Sequence, residues 1–229
     1  MTTSDDEIEK YIKSVTPNLR LHHANFNKAK WCVNNIRKGD IVIDAGACIG
    51  VYTCLYSDLV GSKGHVIAFE PEAQNIKELS KNTNFKNVTI VQAALSDFDG
   101  EATLYVADSL EAHSLCKGYG KCTQLTKVTT LDTYCKENNI TKINHIKTDL
   151  EGCDYLMLLG AEKIIDASDR LSILGEWHWQ RFGVSKNQVF NFFDSRKMVM
   201  KDVLNDFAVI NSPEQASPEM LVIKDDTSI

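Results

Sequence analysis

Ile41-Val42-Ile43-Asp44-Ala45-Gly46-Ala47-Cys48-Ile49-Gly50 is the stretch that decides the fold. Its first three residues are β-branched and do not alternate with polar ones, as in a strand buried on both faces. Two glycines four residues apart then mark a tight strand-to-helix turn, and Val51 to Val60 follows as a helix. The unit recurs downstream. Val66–Phe69, Val88–Val91, Ile143–Ile146 and Leu171–Leu174 read as further buried strands. Ala73 to Asn82 and Tyr155 to Ile165 read as helices between them. Strands alternating with helices predict an α/β fold of Rossmann-like type: a mostly parallel central sheet with helices on both faces.

Upstream, Ser4 with Glu7 three residues on forms a capping-box pattern, and a second helix is expected from about Asn25 to Arg37, ended by Gly39. Residues 1–38 are expected to be a helical extension or lid, and residues 39–229 the Rossmann-like domain. The turn-like Asp97–Gly100, between Ala93–Leu95 and Ala102–Val106, predicts an antiparallel insertion after the third main strand. Asp108 to Gln124 is expected to be an irregular loop, followed by a short strand at Lys127–Thr129 and a helix at about Leu131 to Lys136. The tail predicts an amphipathic helix near Lys186 to Asp194 and two late strands, near Met198–Met200 and Met220–Ile223.

In open α/β sheets ligands bind at the carboxyl ends of the strands, which places the Asp44–Gly50 loop at a cofactor site. A dinucleotide fingerprint needs Gly-x-Gly-x-x-Gly; here only Gly46 and Gly50 are present, with Asp44 two residues before the first. An acid there repels a pyrophosphate and attracts the cationic amino-acid end of S-adenosylmethionine. The second strand ends in Phe69-Glu70-Pro71, and an acid at that place accepts both hydroxyls of a cofactor ribose. Ala94 and Ser96, with Ala93, are expected to edge the adenine.

These residues resemble a known family, the FkbM-type methyltransferases. The resemblance is carried by Ile43 to Thr53, Ala68-Phe69-Glu70-Pro71, Ala94-Leu95-Ser96-Asp97 with Gly100, and Thr130-Leu131-Asp132. Its most specific mark is Ile146-Lys147-Thr148-Asp149-Leu150-Glu151-Gly152, and Leu158 with Gly160-Ala161 and Glu176 complete it. The family carries Asn where Cys48 stands. The resemblance implies an S-adenosylmethionine-dependent enzyme that methylates a hydroxyl of a sugar, lipid or other small molecule. Asp44, Gly46, Ala47, Gly50, Glu70, Pro71, Ala94, Ser96 and Asp149 are the expected cofactor-binding residues.

An alcohol acceptor must lose its proton as the new bond forms, which asks for a general base. Lys147, Asp149 and Glu151 share one face if the fourth strand stays extended, and Glu176 and His178 share a face at the end of the fifth. Asp149, His178, Lys147 and Glu176 are therefore the expected catalytic group, with His178 the side chain that titrates nearest neutrality. Asp149, Glu176 and His178 offer donors of the type a divalent ion accepts, but no tight spacing demands a metal and none is expected. Ser114 is a candidate for the acceptor side. Trp177 with Trp179, and Phe190 with Phe192 and Phe193, offer aromatic faces to a sugar or to the core.

The composition narrows the partners. Thirty-one acidic against 25 basic residues give a net charge of −6, which argues against nucleic acid. No apolar run reaches the length of a membrane span, and the polar start has no leader pattern, so a cytoplasmic location is expected. Seven scattered cysteines without a Cys-x-x-Cys pair read as free thiols, and the spacing of His113, Cys116 and Cys122 fits no common zinc motif. His22-His23 reads as a solvent-facing or helix-start feature. The competing readings are a methyltransferase acting on protein or nucleic acid, a nicotinamide-dependent oxidoreductase, and a non-catalytic adenosylmethionine-binding module.

Overall fold

The computed structural model describes residues 4–16, 25–117, 120–178 and 183–224. Among these, the chain runs α1 (Asp5–Val15), α2 (Phe26–Asn35), β1 (Ile41–Ala45), α3 (Val51–Val60), β2 (His65–Phe69), α4 (Ala73–Asn82) and β3 (Val88–Val91). An insertion follows: β4 (Ala94–Leu95), β5 (Gly100–Val106) and β6 (Cys122–Thr129). The second half comprises α5 (Leu131–Glu137), β7 (His145–Thr148), α6 (Asp154–Leu159), α7 (Glu162–Ala167) and β8 (Leu171–Glu176). It ends with α8 (Lys186–Asp194), β9 (Val199–Asp202), β10 (Ala208–Ile210) and β11 (Glu219–Lys224).

The main sheet has the order β10-β9-β11-β8-β7-β1-β2-β3. From β3 to β8 every neighbouring pair is parallel, and β11, β9 and β10 extend the sheet antiparallel. The chain leaves β1 in one direction through β2 and β3, then returns to lay β7 on the other side of β1. That reversal opens a crevice between the carboxyl ends of β1 and β7.

Alternation along each strand divides the core. Ile43, Ala45, Ile67, Phe69, Ile146 and Ile173 point to one side, where they meet α5 to α8. Val42, Val66, Leu174, Leu221 and Ile223 point to the other, where they meet Ile8 and Ile12 of α1, Ala29 and Cys32 of α2, and Leu55 and Tyr56 of α3. Thus α1 and α2 share one apolar cluster with the sheet. The Ser4–Glu7 capping box is formed at the start of α1.

Three expectations are corrected, and one strand had no counterpart in them. The fourth main strand starts at His145, because Ile143 gives its N–H to Ser168 Oγ and Asn144 uses its side-chain oxygen to accept from Ile41 N. The helix expected over Tyr155–Ile165 breaks into α6 and α7 at Gly160-Ala161, where the carboxylate of Asp132 accepts from Lys163 N and Ile164 N and starts the second helix. In the insertion β4 and β5 do not pair with each other; both flank β6, which begins at Cys122, so the irregular loop is shorter than the sequence implies. The short strand β10, a three-residue apolar run of which two residues are exposed, has no counterpart among the expected strands.

Gly160 shows how close the packing is: a Cβ there would lie 2.1 Å from the Ser96 backbone oxygen. Gly160→Ala is expected to cost about 2 kcal/mol by overpacking, read as a lower urea midpoint with an unchanged denaturant slope.

Candidate active site

The crevice between β1 and β7 opens into a cleft of about 220 Å³. Gly46 closes one side with φ +77, and a Cβ on it would meet the Asp149 backbone oxygen at 2.2 Å. Only glycine lets the two neighbouring strand ends approach this way. Ala47, Cys48, Glu70, Pro71, Ala93 and Ala94 also line the cleft.

At its floor lies Lys147. The ammonium donates to the Gly46 carbonyl at 3.0 Å and stands 3.6 Å from Asp149 Oδ2 and 3.9 Å from Asp44 Oδ1. It also lies 5.6 Å from the centre of the Tyr52 ring. Burial pulls its pKa down, but the carboxylates of Asp149 and Asp44 outweigh burial and leave it raised. Asp44 is fully buried and its pKa is pushed up by desolvation; Thr53 Oγ1 donates to Oδ2 at 2.6 Å, and Oδ1 has no hydrogen-bond partner. Asp44 therefore lies beneath the cleft and not in its lining.

Glu70 ends β2 with its carboxylate buried. Cys48 N–H donates to Oε2 and Glu72 N–H to Oε1, both at 2.9 Å. Burial dominates over these donors and pushes the carboxyl up to about 7.

At the end of β7 the chain turns sharply, with Glu151 at φ 53 and Gly152 at φ 109. Asp154 organises this turn: Thr148 Oγ1 donates to Oδ1 at 2.7 Å and Leu150 N at 3.0 Å, and burial raises its pKa to about 6. Lys147, Asp149 and Glu151 therefore do not lie along one extended strand. The turn brings Asp149, Glu151 and His178 together instead, with donor atoms within 4.8 Å of one another. That trio is the described arrangement able to take a divalent ion, with Glu151 where the sequence suggested Glu176.

Glu176 and His178 do meet. His178 Nε2 is 3.4 Å from Glu176 Oε1 and 3.8 Å from Glu151 Oε2. The imidazole beside it is the largest influence on Glu176, holding its carboxyl down at about 2 against the effect of burial, and the same contact raises the His178 pKa. Behind Glu176 stands Lys28 of α2, 3.4 Å from Oε2.

Several sequence-predicted residues lie elsewhere. Gly50 does not line the cleft; it lets α3 start against Leu79 and Thr83, where a Cβ would lie 2.8 and 2.6 Å from their side chains. Ser96 is buried behind the cleft with its hydroxyl on Asp97. Ser114 lines the cleft, but its hydroxyl donates to the Glu151 carbonyl at 2.8 Å and accepts from Cys116 N at 3.0 Å, tying the insertion to the β7 turn. Trp177, Phe192 and Phe193 belong to the core. His22, His23 and Trp179 lie outside the described residues. His113, Cys116 and Cys122 form no ligand cluster among the described residues, and all seven cysteines are free thiols. Sequence reasoning missed Lys28, Tyr52 and Asp154. Lys28 carried one signal, a charge one helical turn before Cys32 on the apolar face of α2.

The cleft fits S-adenosylmethionine better than a dinucleotide. Its charged lining consists of Glu70, Glu111, Asp149, Glu151 and Glu176 against Lys147. A pyrophosphate would face that carboxylate excess, whereas an ammonium and a sulfonium are attracted by it. Glu70, in the cleft lining, presents a carboxylate held by two backbone N–H groups.

Glu70 makes stability pH-dependent. The folded chain keeps its proton up to about pH 7, while the unfolded chain releases it at the ordinary carboxylate value, so stability falls as pH rises between the two. Glu70→Gln is expected to remove about 2 kcal/mol of the loss between about pH 5 and pH 7, measured by urea unfolding of both proteins at each pH.

A protein of Clostridium thermocellum assigned as an rRNA methylase has a similar structure over 90% of this chain and 97% of its own, with a TM-score of 0.52 and 16% identity. Methyltransferase FkbM of Methylobacillus flagellatus KT is similar over 94% of this chain and 58% of its own, with a TM-score of 0.50 and 15% identity. At these identities the likenesses speak for the fold alone. No curated protein matches the chain. The family model described as the methyltransferase FkbM domain matches residues 44–202, from Asp44 near the end of β1 to the end of β9. The chain belongs to the FkbM methyltransferase family and is an S-adenosylmethionine-dependent methyltransferase.

Proposed function

We propose that the protein methylates a hydroxyl of a sugar, lipid or other small molecule. The observation that carries this reading is the pair at the end of β8, where Glu176 Oε1 stands 3.4 Å from His178 Nε2 beside the cleft. Bound S-adenosylmethionine supplies an electrophilic methyl group, so the chain's own work is alignment and proton removal.

In this reading Glu70 accepts the ribose hydroxyls, and Asp44 and Asp149 attract the cationic end of the cofactor while Lys147 keeps the two acids from repelling each other. Pro71, Ala93 and Ala94 wall the base. Asp149 faces the cleft and orients a neighbouring hydroxyl of the acceptor, which leaves the proton of the reacting hydroxyl to His178. Glu176 holds the proton on His178 Nε2, leaving Nδ1 to take the acceptor's proton as the oxygen is methylated. The raised His178 pKa makes it a stronger base and also leaves more of it protonated at neutral pH, so activity is expected to rise with pH through the imidazole titration.

A nucleic-acid acceptor is disfavoured by the same carboxylate rim, because a phosphate backbone needs basic contacts. Among the described residues no helix is long and apolar enough to cross a membrane.

Calorimetric titration with S-adenosylmethionine is expected to give micromolar binding, weakened at least about tenfold by Glu70→Ala, a loss of one hydrogen-bonded carboxylate. His178→Asn should retain that binding and lose roughly a hundredfold or more in transfer to hydroxylated acceptors. Binding of NAD in place of the methyl donor would overturn the reading.

A further inference from the structure

Glu176 and Glu219 face each other directly in the antiparallel ladder of β8 and β11. Two carboxylates at directly opposed positions repel and weaken a sheet unless a cation lies between them. Lys28 provides it: Nζ is 3.4 Å from Glu176 Oε2 and 3.4 Å from Glu219 Oε2. Its side chain is 7% exposed, on a helix turn that otherwise buries Ala29 and Cys32. Burying an ammonium is costly, and an apolar side chain of the same length would fill the place without that cost. A neutral residue at position 219 would remove the repulsion more simply.

The arrangement divides the two oxygens of Glu176. Oε2 is taken by Lys28, and Oε1 faces His178. The same lysine lines a small recess with Asn25, Tyr52, Lys147, Asp149 and Glu176, so α2 reaches the wall on which the acceptor is expected to dock.

We propose that Lys28 is a positioning residue of the active site: its ammonium, clamped by Glu219, fixes the Glu176 carboxylate in the orientation that holds His178, and makes the N-terminal helix α2 a working part of the acceptor site. The inference rests on the reading of His178 as proton acceptor. The groups that face this pair are Lys28 from α2, Glu219 from β11, and Asp149, Glu151 and Asp154 from the turn after β7. Lys147 of β7 lines the same recess, so Lys28 and Lys147 are the cations around it, and Lys28 is the one in contact with Glu176. Removing Lys28 takes away the group that holds Glu176 Oε2 and frees the carboxylate to turn from His178.

The test is the tautomer of the neutral His178 ring, read from its nitrogen shifts by NMR and assigned with His178→Gln, in wild type, Lys28→Met and Lys28→Arg. One tautomer is expected in wild type, a mixture in Lys28→Met, and a return toward wild type in Lys28→Arg. Lys28→Gln serves as the neutral variant if the methionine protein does not fold. A folded neutral variant with an unchanged His178 tautomer overturns the proposal and leaves Lys28 a structural ion pair. Calorimetry with S-adenosylmethionine on the same samples separates the two levels: absent binding in wild type defeats the cofactor reading, whereas retained binding with an unchanged tautomer defeats only the role of Lys28.

Discussion

The ammonium of Lys147 is the interaction on which the site depends. Two parallel strands of the central sheet end with acids, Asp44 on β1 and Asp149 just beyond β7, and the Gly46 turn packs them together with no room for a side chain between. Without a cation the pair would raise the cost of every folded molecule, because burial already disfavours the charge on Asp44. Lys147 sits on β7 in register with Asp44, so the sheet itself delivers the counter-charge. Its hydrogen bond to the Gly46 carbonyl also pins the glycine turn from below. One residue thus links the neutralisation of the acids to the shape of the loop.

The rest of the site follows the same logic at lower stakes. Glu70 is buried but receives two backbone N–H groups, Asp154 is buried but spans the β7 turn with three hydrogen bonds, and Glu176 is held between a lysine and an imidazole. Each acid is oriented by donors rather than left to solvent, which is how a cleft rich in carboxylates stays defined before a cationic ligand arrives.

What could be read in advance was what is local. The Asp44–Gly50 turn, Glu70-Pro71 and the Lys147–Gly152 string each fall at a strand end, and a strand end can be placed from a few residues of β-branched pattern. The acids near Lys147 were legible as a group, but their geometry was not: the left-handed conformation of Glu151 and the carboxylate of Asp154 turn the chain away from the strand, and neither leaves a mark in period or composition. Lys28 lay furthest from view, because its meaning comes from Glu176 and Glu219 on other elements. Gly50 and Ser114 carry structural work that the sequence did not show. Both sit in the right loops, yet one serves helix packing and the other joins two loops.

The order of strands has a consequence for how the molecule is made. β11 lies between β8 and β9, yet it is the last of the three to leave the ribosome. Until it arrives, β8 has an open edge beside the apolar residues Leu171, Ile173 and Leu174, and β9 has no neighbour on that side. A half-made chain therefore presents an unpaired strand edge of the kind that recruits chaperones or other chains. The strand that seals this edge is also the one that brings Glu219 to Lys28, so completion of the sheet and completion of that wall of the cleft are a single late event in the life of the nascent protein.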